Sequence, residues 1–331
     1  MISPAADLSL FIAVTATALI PWLLSDRLHV RGYYILAFVA LANGPHLIST
    51  WMRVYLSPTE RFKRPIHYWL IPAFLAAFAI ASFLVGGAGP TLIRTVLFYW
   101  ASWHFAAQSW GVLRLYQRRH RAAAAPEARL EKALVFLPAL YCVLRRVYTG
   151  PWTLFGVEIA HPRIPAWIVN ALLFTCIAMF CVYLAMAVIR RVAWIRPLFI
   201  ACSAFGFAIP FNVIRDGTSA FAAAALWHAI QYIGIVWLYN RRRYANSNER
   251  GVIAWVSRPG RTLPYIALIA LCAFAVYALA AIAAFAAKIA FQQLALALWT
   301  ALTLGHYYLD GVIWKTKRYD LNVLANEKRS A

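Results

Sequence analysis

Charged residues are scarce in this chain of 331 residues. Asp, Glu, Lys and Arg together make up only 13% of the sequence, hydrophobic residues make up 63%, and the mean hydropathy is +0.65. A typical water-soluble domain has about a quarter of its residues charged. The composition therefore excludes a soluble globular protein. Repeated apolar runs of about 20 residues indicate instead a membrane protein built from α-helices.

Acidic residues are the rarest charged class. The chain has 11 Asp and Glu against 32 Lys and Arg, which gives a formal net charge of +21. In a soluble protein such a charge would point to nucleic acid. Here the cations cluster at the ends of apolar runs, where loops meet anionic lipid headgroups. We expect the lipid bilayer and its anionic headgroups as partners, and no nucleic acid.

Several common motifs are absent. The five cysteines lie in apolar runs without any CxxC spacing, so we interpret them as small buried hydrophobes rather than disulfides or metal ligands. The HxxxH and HxxHH clusters of membrane desaturases and hydroxylases are absent as well. The sequence therefore contains no motif of closely spaced ligands that would identify a metal site.

The apolar runs predict an all-α, polytopic integral membrane helical bundle that forms one transmembrane domain over residues 1–331. Ten spans are expected, and eight is the alternative because the fifth and seventh runs are weak. The predicted spans are 8–24, 32–56, 66–88, 91–116, 133–149, 164–189, 197–214, 218–240, 263–287 and 289–314. The loops after even-numbered spans, with the C-terminal tail, carry 24 of the 32 Lys and Arg residues. This bias predicts a bacterial inner-membrane protein with both termini in the cytoplasm.

Two of the spans resemble each other. Residues 91–119 contain Trp103-His104, Gln108 and Gly111, and residues 218–242 contain Trp227-His228, Gln231 and Gly234. From the glutamine onward the spacing is identical. The pattern favours an internal duplication, of the kind that builds pseudo-symmetric bundles in transporters.

Four of the eight histidines lie deep inside apolar spans, all on even-numbered spans that run in the same direction. These are His46, His104, His228 and His306. Counting forward to the next cation (Arg53, Arg114, Arg241 and Lys315) places them within about 10 Å of one another in depth. A polar side chain in hydrocarbon is costly unless something binds it. A lone buried histidine is usually a core residue bonded to a hydroxyl or carbonyl, but four at one depth predict a shared metal site.

Each of these histidines has a polar residue about one turn later. They are Ser49 and Thr50 after His46, Gln108 after His104, Gln231 after His228, and Asp310 after His306. This spacing is typical of metal-binding imidazoles whose neighbours fix the tautomer and orientation of the ring. We expect Gln108, Gln231 and Asp310 to be catalytic residues beside the metal. Asp310 could also bind the metal directly, neutralise charge or relay a proton.

A membrane protein of this size with four intramembrane histidines resembles the Brp/Blh-type membrane β-carotene dioxygenases. The resemblance includes Pro45-His46, which is similar to a Pro-His-Gly segment of that family. Where that family would place a second histidine one turn from a ligand, this chain has Asp310 and Gln108. The resemblance implies a histidine-held non-haem Fe(II) ion and a lipophilic polyene substrate.

The sequence therefore predicts a metal-dependent membrane oxidoreductase or oxygenase that acts on a lipophilic substrate: a polyene, isoprenoid or lipid. One alternative is a non-catalytic carrier of electrons, with haem on His104 and His228 or with a quinone. A transporter with a His/Asp relay is another alternative. A membrane-bound acyltransferase is a third, because that family also carries a Trp-His pair within a span.

Overall fold

The computed structural model describes residues 7–9, 14, 19–57, 60, 62–120, 126–245, 247–288 and 290–314. Long helices dominate these residues, as the sequence predicts. They are α1 (Leu19–Arg27), α2 (Arg31–Phe38), α3 (Gly44–Tyr55), α4 (Ile71–Val85), α5 (Gly89–Arg119), α6 (Glu127–Tyr148), α7 (Ala166–Ile189), α8 (Ile195–Val213), α9 (Gly217–Tyr244), α10 (Val252–Val256), α11 (Thr262–Ala287) and α12 (Phe291–Ile313). The all-α prediction is confirmed.

Among the described residues, six helical segments are long and apolar enough to cross a membrane. They are Arg31–Tyr55, Ile66–Val85, Ala166–Ile189, Ile195–Val213, Gly217–Tyr244 and Thr262–Ala287. The chain therefore has the helices of a membrane protein, while the count of ten or eight spans stays a prediction. Of the predicted first span, 8–24, residues 10–13 and 15–18 lie outside the described residues. Lys315, which marks the membrane edge after His306 in the depth argument, also lies outside them.

Two of these segments contain a π-helical turn. Val39–Asn43 joins α2 to α3, and Ile66–Leu70 leads into α4. The first turn ends immediately before Gly44 and Pro45, where proline cannot donate the backbone hydrogen bond of a regular helix. The irregular backbone therefore lies directly in front of His46.

The chain packs as two compact units. The first contains the described residues up to Ile35 together with Phe98–Gln231, and the second contains Leu36–Leu97 together with the described residues from Tyr232 onward. In the first unit α6 packs against α7 and α8. In the second unit α12 packs against α3, α4 and α11, and α11 also packs against α3. The predictions of one transmembrane domain and of an internal duplication remain predictions.

The first unit also holds a short hairpin that the sequence analysis did not predict. Thr153–Leu154 pairs antiparallel with Val157–Glu158. Phe155 and Gly156 between the strands both have positive φ, 51° and 76°. Positive φ at both central residues is typical of the two-residue hairpin turn whose twist matches that of the paired strands. Within the described residues this hairpin is the only sheet.

A buried ion pair joins the helices of the first unit near their ends. Arg196, at the start of α8, lies 2.7 Å from Glu131 of α6, and both side chains are almost completely buried. The Tyr183 hydroxyl donates to the same carboxylate at 2.7 Å, and the Gln117 amide donates to its second oxygen at 2.5 Å. Gln117 and Glu131 lie between the predicted spans 91–116 and 133–149, in a stretch expected to be outside the helices. The structure corrects this expectation, because α5 extends to Arg119 and α6 begins at Glu127.

Candidate metal centre

All four predicted histidines are buried. Their side chains belong to α3, α5, α9 and α12, and none of the four residues is more than 7% exposed. Each offers one ring nitrogen such that these nitrogens all lie within 4.8 Å of one another. The four histidines therefore form a cluster that could hold a metal ion.

Within the first unit, His104 of α5 and His228 of α9 form a pair. Their ring centroids lie 4.9 Å apart with the planes at 73°. The Phe105 ring lies 4.3 Å from that of His228. The Gln108 amide donates to the backbone carbonyl of His228 at 3.1 Å. The predicted neighbour of His104 thus binds the backbone that carries His228.

Trp227 fixes the helix that carries His228. Its indole N–H donates to the carbonyl of Gly206 on α8 at 3.0 Å, and its side chain is buried. A Cβ atom on Gly206 would lie 2.6 Å from this indole, so the approach of the two helices requires glycine. Trp103, the counterpart of Trp227 in the predicted repeat, is 62% exposed. The two Trp-His pairs therefore have different surroundings despite their matching sequences.

Within the second unit, His46 of α3 and His306 of α12 form the other pair. Their ring centroids lie 4.3 Å apart with the planes at 74°. The Tyr232 ring contacts both, with centroids 4.7 Å from His46 and 5.3 Å from His306. Gly305, the residue before His306, lets the Trp51 ring pack against α12, since a Cβ there would lie 2.7 Å from the indole.

Thr50 connects His306 to Asp310. Its hydroxyl oxygen lies 2.7 Å from His306 Nδ1, and the hydroxyl donates to Asp310 Oδ1 at 3.0 Å. The Tyr232 hydroxyl donates to the same oxygen of Asp310 at 2.5 Å and lies 2.5 Å from Thr50 Oγ1. We refer to Thr50, Tyr232 and Asp310 as the hydroxyl–carboxylate network. The sequence predicts a partner for each histidine on its own helix, but Thr50 on α3 reaches the histidine of α12.

The two ring nitrogens of His306 have different surroundings. The Thr50 hydroxyl oxygen lies against Nδ1, and the direction of that hydrogen bond depends on the tautomer of the ring. A Thr50 hydroxyl that donates to Asp310 accepts from His306 Nδ1–H, and the lone pair is then on Nε2. Since Thr50 occupies the Nδ1 side, Nε2 is the nitrogen that would bind a metal ion.

Asp310 lies beside His306 without direct hydrogen bonding. Its Oδ2 atom is 3.8 Å from His306 Nε2, which is beyond a normal hydrogen bond. The carboxylate is buried, and it is not among the residues of the four-histidine cluster. This geometry favours a neighbour of the ligands over a ligand. Gln231, the other predicted catalytic residue, is 1% exposed on α9.

Arg53 is a buried cation in the second unit. Its guanidinium lies 4.1 Å from the centroid of the Tyr239 ring and 3.8 Å from that of Trp314, and the residue is 3% exposed. The Trp314 indole in turn donates to the Tyr232 hydroxyl at 3.2 Å. The depth of Arg53 relative to the membrane surface stays a prediction, but its guanidinium lies among aromatic rings.

Thr50 and Tyr232 are the residues whose role the sequence did not reveal. In the sequence Thr50 stands out only as a neighbour of His46, and Tyr232 is only an aromatic residue four positions after His228. Both carry a hydroxyl inside an apolar span, where an unpaired polar group is costly. The cost of an unpaired hydroxyl could have identified both residues as important, but it does not identify the distant residues that they contact.

Comparison of the chain with protein-family models, with curated proteins and with solved structures finds no match.

Proposed function

We propose that the protein is a membrane-embedded, metal-dependent oxidoreductase of the oxygenase type, which acts on a lipophilic polyene, isoprenoid or lipid. The observation that carries this proposal is the cluster of four buried histidines whose ring nitrogens lie within 4.8 Å. Imidazole is a good ligand for iron, copper, nickel and zinc. Among these we favour an iron-type ion, in keeping with the resemblance to the membrane β-carotene dioxygenases.

The spacing of the nitrogens supports a single ion. Metal–imidazole bonds of about 2.0–2.1 Å allow two nitrogens on one ion to be at most about 4.2 Å apart. The upper limit of 4.8 Å within the cluster exceeds this by about half an ångström. Small side-chain rotations would close that difference. The donor set therefore fits the proposed ion.

The hydroxyl–carboxylate network would prepare one of the ligands. Thr50 bonds to His306 Nδ1, which leaves Nε2 for the ion, and Asp310 accepts a hydrogen bond from Thr50. Such partners orient a ligating imidazole and raise its basicity. A bound iron-type ion would supply the redox chemistry, while the protein would keep water out and hold the substrate.

Burial of the site supports a lipophilic substrate. The candidate spans expose large apolar side chains, including Phe174, Phe205 and Phe274, as expected of helices in contact with lipid. A molecule that reaches deeply buried histidines from that environment must itself be soluble in lipid. We infer entry from the bilayer rather than from water.

Haem is the main rival as a cofactor. Two axial imidazoles on one haem iron would have ring centroids about 6 Å apart, because each metal–nitrogen bond is about 2 Å. His104 and His228 lie 4.9 Å apart, which is too close for that arrangement. The spacing disfavours a haem carrier, while a quinone carrier, a transporter or an acyltransferase remains to be tested by function.

Metal analysis with a visible spectrum tests the proposal. Protein purified anaerobically in detergent should contain about one transition-metal ion per chain and show no Soret band. A Soret band would support haem instead. Protein without bound metal, and without metal uptake when supplied with Fe(II), would contradict the proposal.

We further propose that both termini face the cytoplasm of a bacterial inner membrane. His120 follows α5 and Lys288 follows α11, at opposite ends of their spans in the predicted topology. In whole cells, a cysteine introduced at position 288 should react with an impermeant maleimide, and one at position 120 should not. The opposite labelling would reverse the orientation.

A further inference from the structure

The first unit contains a cavity of about 260 Å³ that the metal centre does not use. Its walls come from residues 145–152, where α6 ends, and from residues 211–215, where α8 ends. Three arginines line it: Arg145, Arg146 and Arg215. Small-molecule sites usually measure about 300–1,000 Å³, so this cavity has room for a small polar group. We refer to it as the arginine cavity.

Arg146 fixes the shape of the arginine cavity. Its guanidinium donates to the carbonyl oxygens of Ile214 at 2.6 Å and of Arg215 at 2.5 Å. The same group lies over the Trp152 ring, 5.0 Å from its centroid, and the residue is 6% exposed. These contacts hold the chain after α8 beside the end of α6. The cavity is therefore a fixed part of the fold.

Arg145 and Arg215 give the cavity a positive charge that no carboxylate of its lining offsets. Among the residues that the structure describes, neither arginine forms an ion pair with a carboxylate. Asp216 is adjacent in sequence, and its carboxylate accepts the backbone N–H of Ser219 at 2.6 Å. Its charge also acts on Arg146, so it offsets part of the charge of that arginine.

The position of these cations in the sequence is unusual. In the predicted topology only eight of the 32 Lys and Arg residues lie on the non-cytoplasmic side, and three of the eight line this one cavity. The rule that places cations in the cytoplasm does not explain a cluster on the opposite side. Binding of an anion would explain it, since three cations that line one cavity, of which Arg146 is buried, otherwise repel one another.

We propose that the arginine cavity binds a phosphate group, which in the membrane belongs to an anionic lipid headgroup. Guanidinium groups pair with phosphate oxygens through two parallel hydrogen bonds, and basic pockets at helix ends bind lipid headgroups. Tyr148 and Trp152 beside the cavity are the aromatic residues typical of headgroup depth. This site is independent of the proposed metal centre.

Lipid binding to the full-length protein tests the proposal. The protein would be placed in nanodiscs of phosphatidylcholine, and its unfolding temperature measured with increasing phosphatidylglycerol and, separately, with inorganic phosphate. A ligand that binds only the folded state raises the unfolding temperature, and the rise grows with the ratio of ligand concentration to dissociation constant. We expect phosphatidylglycerol to stabilise the wild-type protein, and the Arg145→Gln/Arg215→Gln variant to bind it at least about tenfold more weakly.

Arg163→Gln is the matched control. Arg163 is an exposed cation in the loop before α7 of the same unit, and it does not line the cavity. This variant should respond to phosphatidylglycerol as the wild type does. If inorganic phosphate stabilises the wild type as well as the lipid does, and the double variant loses both responses, the cavity binds phosphate from solution rather than a headgroup. Equal responses in the wild type and the double variant would overturn the proposal.

If the double variant does not fold, two single lysine variants provide a second measurement. Arg145→Lys and Arg215→Lys keep the charge but lose the two-pronged hydrogen bonding of the guanidinium. Native mass spectrometry of each single variant should show fewer retained phosphatidylglycerol molecules than the wild type. Unchanged retention in both would count against the cavity as a phosphate site.

Discussion

The described contacts of the two histidine pairs differ. His104 and His228, in the first unit, lie among aromatic rings, and the hydrogen bond from Gln108 goes to a backbone carbonyl. In the second unit His306, the partner of His46, is bonded through a ring nitrogen to the hydroxyl–carboxylate network. Ring packing therefore contributes to the position of the first pair, and hydrogen bonding contributes to that of His306. A volume change beside Trp227 should thus act on the first pair, and loss of the Thr50 hydroxyl should act on the second.

Removing a histidine from either pair should have the largest effect. We expect His104→Ala and His306→Ala to abolish metal binding, because each variant removes one of four ligands and leaves a buried gap. Metal content by mass spectrometry, on protein of verified fold, checks this. His161→Ala is the control, since His161 lies in a loop outside the cluster. Full metal content in either cluster variant would remove that pair from the site.

Thr50→Val should weaken metal binding through the second histidine pair only. The substitution keeps the shape of the side chain but removes the oxygen that His306 Nδ1 and Asp310 share. We expect metal affinity to fall about 10–100-fold, as is typical when a partner of a ligand is lost. A competition assay with a chelator measures the change.

Thr303→Val is the matched control for Thr50→Val. Thr303 is also buried, one turn before His306, but its hydroxyl donates to the Trp299 carbonyl of its own helix at 2.7 Å. Its replacement should leave metal affinity unchanged. Equal losses in both variants would mean that burial of a hydroxyl, rather than the bond to His306, determines affinity.

The sequence predicted the helices and the histidines well, but not how their side chains meet. Apolar runs define helices because a backbone in lipid must satisfy its own hydrogen bonds, so α7 and α11 lie close to their predicted bounds. The histidines stood out because polar groups are costly there. The bond from Thr50 to His306 spans 256 positions, and it depends on helix packing that no local spacing records.

The Trp-His pair that both helices share also failed to predict the environment of its tryptophan. Trp103 and Trp227 both precede a cluster histidine, yet the first is 62% exposed and the second 1%. Which face of a helix is buried depends on its neighbours, and here Gly206 of α8 provides the space for Trp227. Helix periodicity identifies residues that share a face, but it does not identify the partner helix.

Gly206→Ala tests positioning by packing. The new methyl group would meet the Trp227 indole at 2.6 Å, so the indole or α8 must shift. Overpacking of this kind typically costs about 1–3 kcal/mol. We expect a lower unfolding temperature and weaker metal binding through His228, while the hydrogen bond of Trp227 weakens.

Gly111→Ala is the control for that substitution. A Cβ on Gly111 of α5 would have no neighbour within 4 Å, and alanine is the better helix former by roughly 0.5–1 kcal/mol. Stability should therefore rise slightly or stay the same. If both glycine variants unfold alike, contact between Gly206 and Trp227 does not position the first pair.

Asp310→Asn should have the smallest effect on metal binding. The amide oxygen can still accept the hydrogen bonds that Thr50 and Tyr232 donate to Oδ1, so His306 should keep its orientation. Only the negative charge is lost, and Oδ2 is 3.8 Å from His306 Nε2 rather than bonded to it. We expect metal content to be retained while turnover of a lipophilic substrate falls.

If the variant instead loses metal as completely as His306→Ala, the carboxylate is a ligand. If metal content and turnover both match the wild type, Asp310 does not take part in the site. The comparison of the two pairs would then depend on Thr50 and Tyr232 alone.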